Sequence, residues 1–267
     1  MIGFGESYLV WIASTLIPAF TGLLVITWLG KKVPVTYVVA FALGIFLWFF
    51  VDTISGSSFL DVNSGFSGDW AQLGVVLLFL VGVLIFFSID RKRNMLSPVT
   101  AVGKYGMAIP ILTAVAVGIH GIGEGTAYGH LSSVTDSTTI IDAFGGLTAG
   151  VAYVLHKGLE PMMIGACYAF YLGQEKRSTS RMIRDVLFLS VIFTIPSLLG
   201  AATGYFIVYD TTYFFALGTG TSIYAAFRLA GPLFANDQKV PAKDTILVAI
   251  AWILGFMAIY VAALFHS

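Results

Sequence analysis

Two short stretches of the chain carry residue types that can hold a metal ion. Ile119-His120-Gly121-Ile122-Gly123-Glu124-Gly125 and Leu155-His156-Lys157-Gly158-Leu159-Glu160-Pro161 each place a histidine and a glutamate four residues apart inside an apolar run. On a helix, positions i and i+4 stack one turn apart on one face. His120 with Glu124, and His156 with Glu160, therefore each present an imidazole and a carboxylate together. Two such faces turned toward each other enclose a cation. The apolar surroundings sharpen this reading, because an ionised side chain at the centre of a membrane helix costs about 2.5 to 3.5 kcal/mol and such groups usually face a cavity or a partner.

The elements that must position these residues are membrane helices. Only 10% of the 267 residues are charged and 58% are hydrophobic, with a mean hydropathy of +0.90, whereas a soluble domain carries about 25% charged residues. Apolar runs near the roughly 20 residues that cross a bilayer lie at about 8–29, 34–54, 71–89, 99–130, 141–172, 185–208, 212–234 and 244–265. The expectation is an all-α polytopic membrane protein, a single transmembrane domain over 1–267 with eight helices and no soluble domain. No lysine or arginine precedes the first run and Lys31-Lys32 follow it, so it is expected to remain as a helix instead of being cleaved as a signal. Cys167 is the one cysteine, which excludes an intrachain disulfide and a cysteine-cluster metal site.

Charge gives the orientation. Lys31 and Lys32, then Arg91, Lys92 and Arg93, then Lys176, Arg177, Arg181 and Arg184, then Lys239 and Lys243 all fall in alternate loops, while the other side holds Glu6, Asp61, Asp69, Asp136 and Asp210. The positive-inside rule then predicts both termini on the extracytoplasmic side. Lys104 and Arg228 lie near the inner ends of their helices, from which they can snorkel toward headgroups. Lys157 is near mid-span and needs a partner.

Gly121, Gly125 and Gly129 form a small-residue stripe suited to close helix packing. Pro110, Pro161 and Pro196 lie within apolar runs, where each is expected to kink its helix, Pro161 by loosening the Lys157 carbonyl. Phe41-Ala42-Leu43-Gly44 in the second run recurs as Phe215-Ala216-Leu217-Gly218 in the seventh. That symmetry about the two ligand helices predicts an inverted repeat of helices 1–3 and 6–8 around a central pair, with the site at the repeat interface near mid-membrane.

His120-Gly-Ile-Gly-Glu124-Gly125 resembles the fourth-helix motif of the ZIP (Zrt/Irt-like) metal transporters, usually His-Asn-x-x-Glu-Gly, and His156-Lys157-Gly158-Leu159-Glu160 resembles their fifth-helix motif. The resemblance implies eight transmembrane helices in a 3+2+3 inverted-repeat arrangement with external termini, and secondary transport of a divalent transition metal. It also implies His120, Glu124 and Glu160 as first-site metal ligands with His156 beside them. Mixed imidazole and carboxylate donors suit zinc first, with iron or manganese as alternatives, each as substrate. The expected partners are that ion, the lipid bilayer and at most a second copy of the chain, not nucleic acid.

The departures from the family pattern are informative. Gly121 and Lys157 stand where the family's second metal position uses an asparagine and an aspartate, and Thr194-Ile195-Pro196 lacks a glutamate before the sixth-helix proline. The second site is therefore expected to be dismantled, with the Lys157 ammonium, at i+3 from Glu160, supplying the charge of a second cation. Asp52 and Asp142, near the outer ends of helices two and five, are candidates for a mouth that attracts cations. His130 and His266 read as interfacial residues. Two other classes stay open. One is a membrane-embedded metal hydrolase, since a three-ligand metal with an open position activates water. The other is a proton-relay or regulatory protein in which Lys157 has replaced the metal by pairing with Glu124 and Glu160.

Overall fold

A computed structural model describes residues 3–56, 70–90, 106–134, 140–172, 177–234 and 242–264. The basic segment Arg91–Arg93, Lys104, Lys176 and Lys239, the acidic positions Asp61, Asp69 and Asp136, and His266 lie outside them. The described chain is all-helical, with α1 Phe4–Leu29, α2 Val35–Gly56, α3 Trp70–Asp90, α4 Ala108–Gly118, α5 Gly121–Val134, α6 Leu147–Leu159, α7 Met162–Leu172, α8 Thr179–Phe206, α9 Thr212–Phe234 and α10 Ala242–Ala263. A short 3-10 helix, Ile140–Phe144, precedes α6.

Five of these helices (α1, α2, α3, α8 and α10) are long and apolar enough to cross a membrane, and α4 with α5 makes a sixth if the bent pair counts as one span. Their outward faces are apolar as well. Ile246, Ile250, Leu254, Met257 and Val261 stand exposed along α10, and Leu77, Leu80 and Leu84 along α3. Patches of that extent would drive aggregation in water and are matched to lipid tails. The protein is an integral, multi-pass membrane protein.

The two ligand-bearing runs are broken where continuous helices were expected. The fourth bends by 41° between α4 and α5, at Ile119-His120, where Ile122 N–H donates to the Ile119 carbonyl and Gly123 N–H to that of His120. This tighter turn occurs with no proline at all. The fifth breaks between α6 and α7 at Glu160-Pro161, and there the proline explains it, since its ring carries no N–H for the Lys157 carbonyl. Glu160 N–H still donates to His156, and Met163 N–H resumes the ladder from the Glu160 carbonyl. The other two prolines do not break their helices. Pro110 occupies the first turn of α4, where a missing N–H costs nothing, and α8 runs unbroken through Pro196, as α1 does through Pro18.

Helix pairing rests on reciprocal glycine contacts. A Cβ at Gly44 would overlap the carbonyl of Trp252 and one at Gly255 that of Phe41, which locks α2 to α10. The same arrangement locks α9 to α3, through Gly220 on Phe79 and Gly82 on Leu217. In each pair, every glycine covers the carbonyl three residues before the opposite glycine. The predicted stripe Gly121, Gly125 and Gly129 packs on α8, with Gly125 against Ser197 and Gly129 against Ala201, answered by Gly200 on Ile122 and Gly204 on Thr126. The contacts advance together along α5 and α8, so these two helices run parallel.

One expectation about charge is corrected. Arg228 does not reach for headgroups: it is 5% exposed, its Nε donates to the Tyr224 hydroxyl at 3.2 Å, and its guanidinium lies over the Tyr224 ring. Tyr224, one turn earlier on α9, offers both a face and an acceptor, and the cation stays inside.

Candidate metal centre

Each donor of the site sits at a place where its helix is interrupted. His120 occupies the α4–α5 bend and Glu160 the α6–α7 break, while Glu124 lies in the first turn of α5. His120 is oriented twice over. Its Nδ1 contacts the Val117 carbonyl, so in the neutral ring the proton resides on Nδ1 and Nε2 presents a lone pair, as a metal-ligating imidazole requires. Phe49 meets the ring edge to face with centroids 4.6 Å apart, and Gly218 of α9 lies against the His120 backbone.

The result is a cluster in which one ligand atom each from His120, Glu124 and Glu160 lies within 4.8 Å of the others. His120 Nε2 is 3.3 Å from Glu160 Oε2 and 3.6 Å from Glu124 Oε1. One imidazole and two carboxylates from two broken helices are a donor set suited to a divalent transition ion. The Lys157 ammonium holds the centre of this cluster, 2.5 Å from Glu124 Oε2, 2.7 Å from Glu160 Oε2 and 3.2 Å from His120 Nε2. It also sits over the rings of Tyr153 and Phe193 at 5.7 and 5.6 Å. Lys157 is 1% exposed and Glu160 3%, and a buried ammonium persists in such a place because two carboxylates and an imidazole face it.

The sequence named four ligands, and the structure brings three together. His156 lies outside the trio, on the wall of a cavity of about 540 Å³ that also touches Glu124 and Asp52. Glu160, one turn on from His156, directs its carboxylate to Lys157 at i+3 instead. Asp52 thus shares that cavity with Glu124, whereas Asp142 stands exposed in the 3-10 helix and is not part of that wall. His130 is partly buried on α5, away from the trio.

The cavity wall comes from helix ends on one face: the start of α1 (Trp11), the end of α2 (Trp48, Asp52), the beginning of α9 (Phe215) and the end of α10 (Ala263). Trp11 is the residue that sequence reasoning missed here. It stacks on Tyr128 and Tyr153 with centroids 4.2 and 4.6 Å apart, and its indole N–H donates to Ser197 Oγ at 3.1 Å. An isolated tryptophan in an apolar run carries no signal of such a role. Toward the opposite face the trio abuts the central apolar core, in which Phe49, Val117, Met163, Leu189 and Phe193 are all buried. Among the described residues, the trio thus lies between the cavity on one side and this core on the other.

No protein-family model matches the chain, and no curated protein matches it either.

Proposed function

We propose that this protein is a secondary transporter of a divalent transition metal, zinc first and iron or manganese next, of the ZIP kind, with one mid-membrane site and a lysine in place of a second ion. The carrying observation is the trio His120, Glu124 and Glu160, whose Glu124 also lines a cavity of about 540 Å³. A mid-bundle donor trio reached from a cavity is the arrangement that an alternating-access carrier needs. The eight-span, 3+2+3 inverted arrangement draws support from packing. The α2–α10 and α9–α3 glycine locks share one register, and an inverted repeat of helices 1–3 and 6–8 exchanges these two pairs. The parallel course of α5 and α8 fits their places as parts of spans four and six. On this reading both termini are extracytoplasmic, the basic loops are cytoplasmic, and the cavity opens outward.

The test is metal binding followed by flux. Purified wild type is expected to bind one Zn²⁺ per chain tightly, and His120→Ala, Glu124→Gln and Glu160→Gln each to lose this tight binding, because a three-donor site loses an anchor. Proteoliposomes containing the wild type are expected to take up zinc, and those containing Glu160→Gln are not. Unchanged metal content in all three variants would sink the site.

A second reading is favoured by the Lys157 ammonium, which fills the trio at 2.5 and 2.7 Å from the two carboxylates. On that reading the lysine has replaced the ion for good and the protein is a non-transporting relay or regulator. Wild type that binds no divalent ion while Lys157→Met does would select it.

A further inference from the structure

The split between His156 and the trio has its own meaning. We propose that His156 and Asp52 form an outer cation station, and that Glu124, which belongs to both the cavity wall and the trio, hands the ion from one to the other. This rests on the metal-transport reading above and gives that site its loading path.

Geometry and chemistry point the same way. Asp52 on α2 and His156 on α6 come from helices far apart in sequence, yet they line one cavity with Glu124. An imidazole and a carboxylate are donors of the same two kinds as the inner site offers, so an ion moving inward exchanges like for like. A cavity of about 540 Å³ leaves room for the ion to keep several waters there. The trio leaves little such room, since three donors and an ammonium already converge in it. Shedding water in two stages is easier than in one, because each lost water is replaced by a protein donor before the next leaves. His156 is 6% exposed, so its ring is held in place by packing, as a ligand's must be.

The experiment uses Co²⁺ alone as the probe, with the purified full-length chain in lipid nanodiscs and the cobalt absorption bands as readout. A residue on the path lowers the barrier in both directions, while a residue in the site holds the ion. Asp52→Asn and His156→Gln are therefore expected to slow Co²⁺ association about 10-fold or more, as removal of a steering charge or relay donor does. Dissociation should slow equally, with the stoichiometry and the equilibrium affinity of the inner site unchanged. In the Glu160→Gln background a weaker Co²⁺ is expected to remain, and to vanish when His156→Gln is added. If His156→Gln speeds dissociation and weakens affinity as Glu160→Gln does, His156 is a member of the inner site and the proposal fails. Association rates equal to wild type in both outer variants overturn it too. Wild type that binds no Co²⁺ removes the metal reading itself.

Discussion

Gly218 of α9 lies flat against the backbone of His120, so close that a Cβ on it would overlap the histidine's own Cα and Cβ. The residue that most strictly fixes the imidazole is thus a glycine on another helix. Gly218→Ala must push α9 and the α4–α5 bend apart. It is expected to weaken metal affinity about 10-fold or more, in line with the loss seen when a group orienting a metal ligand is disturbed. Isothermal titration with Zn²⁺ is the measurement, and an unchanged affinity would show that the contact has no bearing on the ligand.

Lys157 balances the buried Glu160 carboxylate and the partly buried one of Glu124, so Lys157→Met leaves like charges facing each other. The metal-free variant is expected to be destabilised by about 3 to 5 kcal/mol, the usual cost of removing one partner of a buried pair, and to recover stability when Zn²⁺ is added. Thermal melts with and without metal read this directly. Equal melting shifts in wild type and variant would mean that the ion and the ammonium do not share a place.

Lys157→Asp tests the same exchange from the opposite side. With a carboxylate where the ammonium stood, capacity is expected to rise from one metal per chain toward two, because the added donor and charge rebuild a second position. Elemental analysis after desalting counts the ions, and a ratio that stays at one refutes the idea.

Gly44→Val and Gly220→Val each place a branched side chain onto a facing carbonyl, of Trp252 and of Phe79. Both are expected to lower the melting temperature of the detergent-solubilised protein substantially. Gly231, beside which nothing lies within 4 Å, serves as the control, and Gly231→Val should change little. Comparable losses in all three would show that the facing carbonyls are not the cause, since valine is a better helix former than glycine.

For orientation, single cysteines at Gly3 and Thr179 in a Cys167→Ser background are expected to label from opposite sides of the membrane, Gly3 from outside. Cys167 is buried, so its removal is a precaution. Labelling of Thr179→Cys from outside intact cells reverses the proposed topology.

The trio was legible because charged donors inside an apolar run are costly and therefore conspicuous. The glycine stripe on α5 was legible because its spacing follows the helical period. Other features were hidden for physical reasons. The i, i+4 spacing predicts His156 and Glu160 acting on one face, whereas Glu160 turns its carboxylate to Lys157 at i+3. The α4–α5 bend has no proline to announce it. The repeated Phe-Ala-Leu-Gly aligns Gly44 with Gly218, yet the packing equivalent of Gly44 is Gly220, because Gly218 is committed to His120. Arg228 was placed near a helix end by counting residues, which says nothing of a tyrosine one turn away.

The ammonium among the carboxylates also decides how the protein feels voltage. Glu124, Glu160 and Lys157 with a neutral imidazole leave the empty site one negative charge, and a divalent ion turns it into one positive charge if the lysine stays. A membrane potential acts on each elementary charge with about 2.3 kcal/mol per 100 mV across the full field. An interior-negative potential would therefore draw the loaded site inward and drive the vacant one back outward. If the site carries the ion across the bilayer as proposed, both halves of that cycle gain from the same potential.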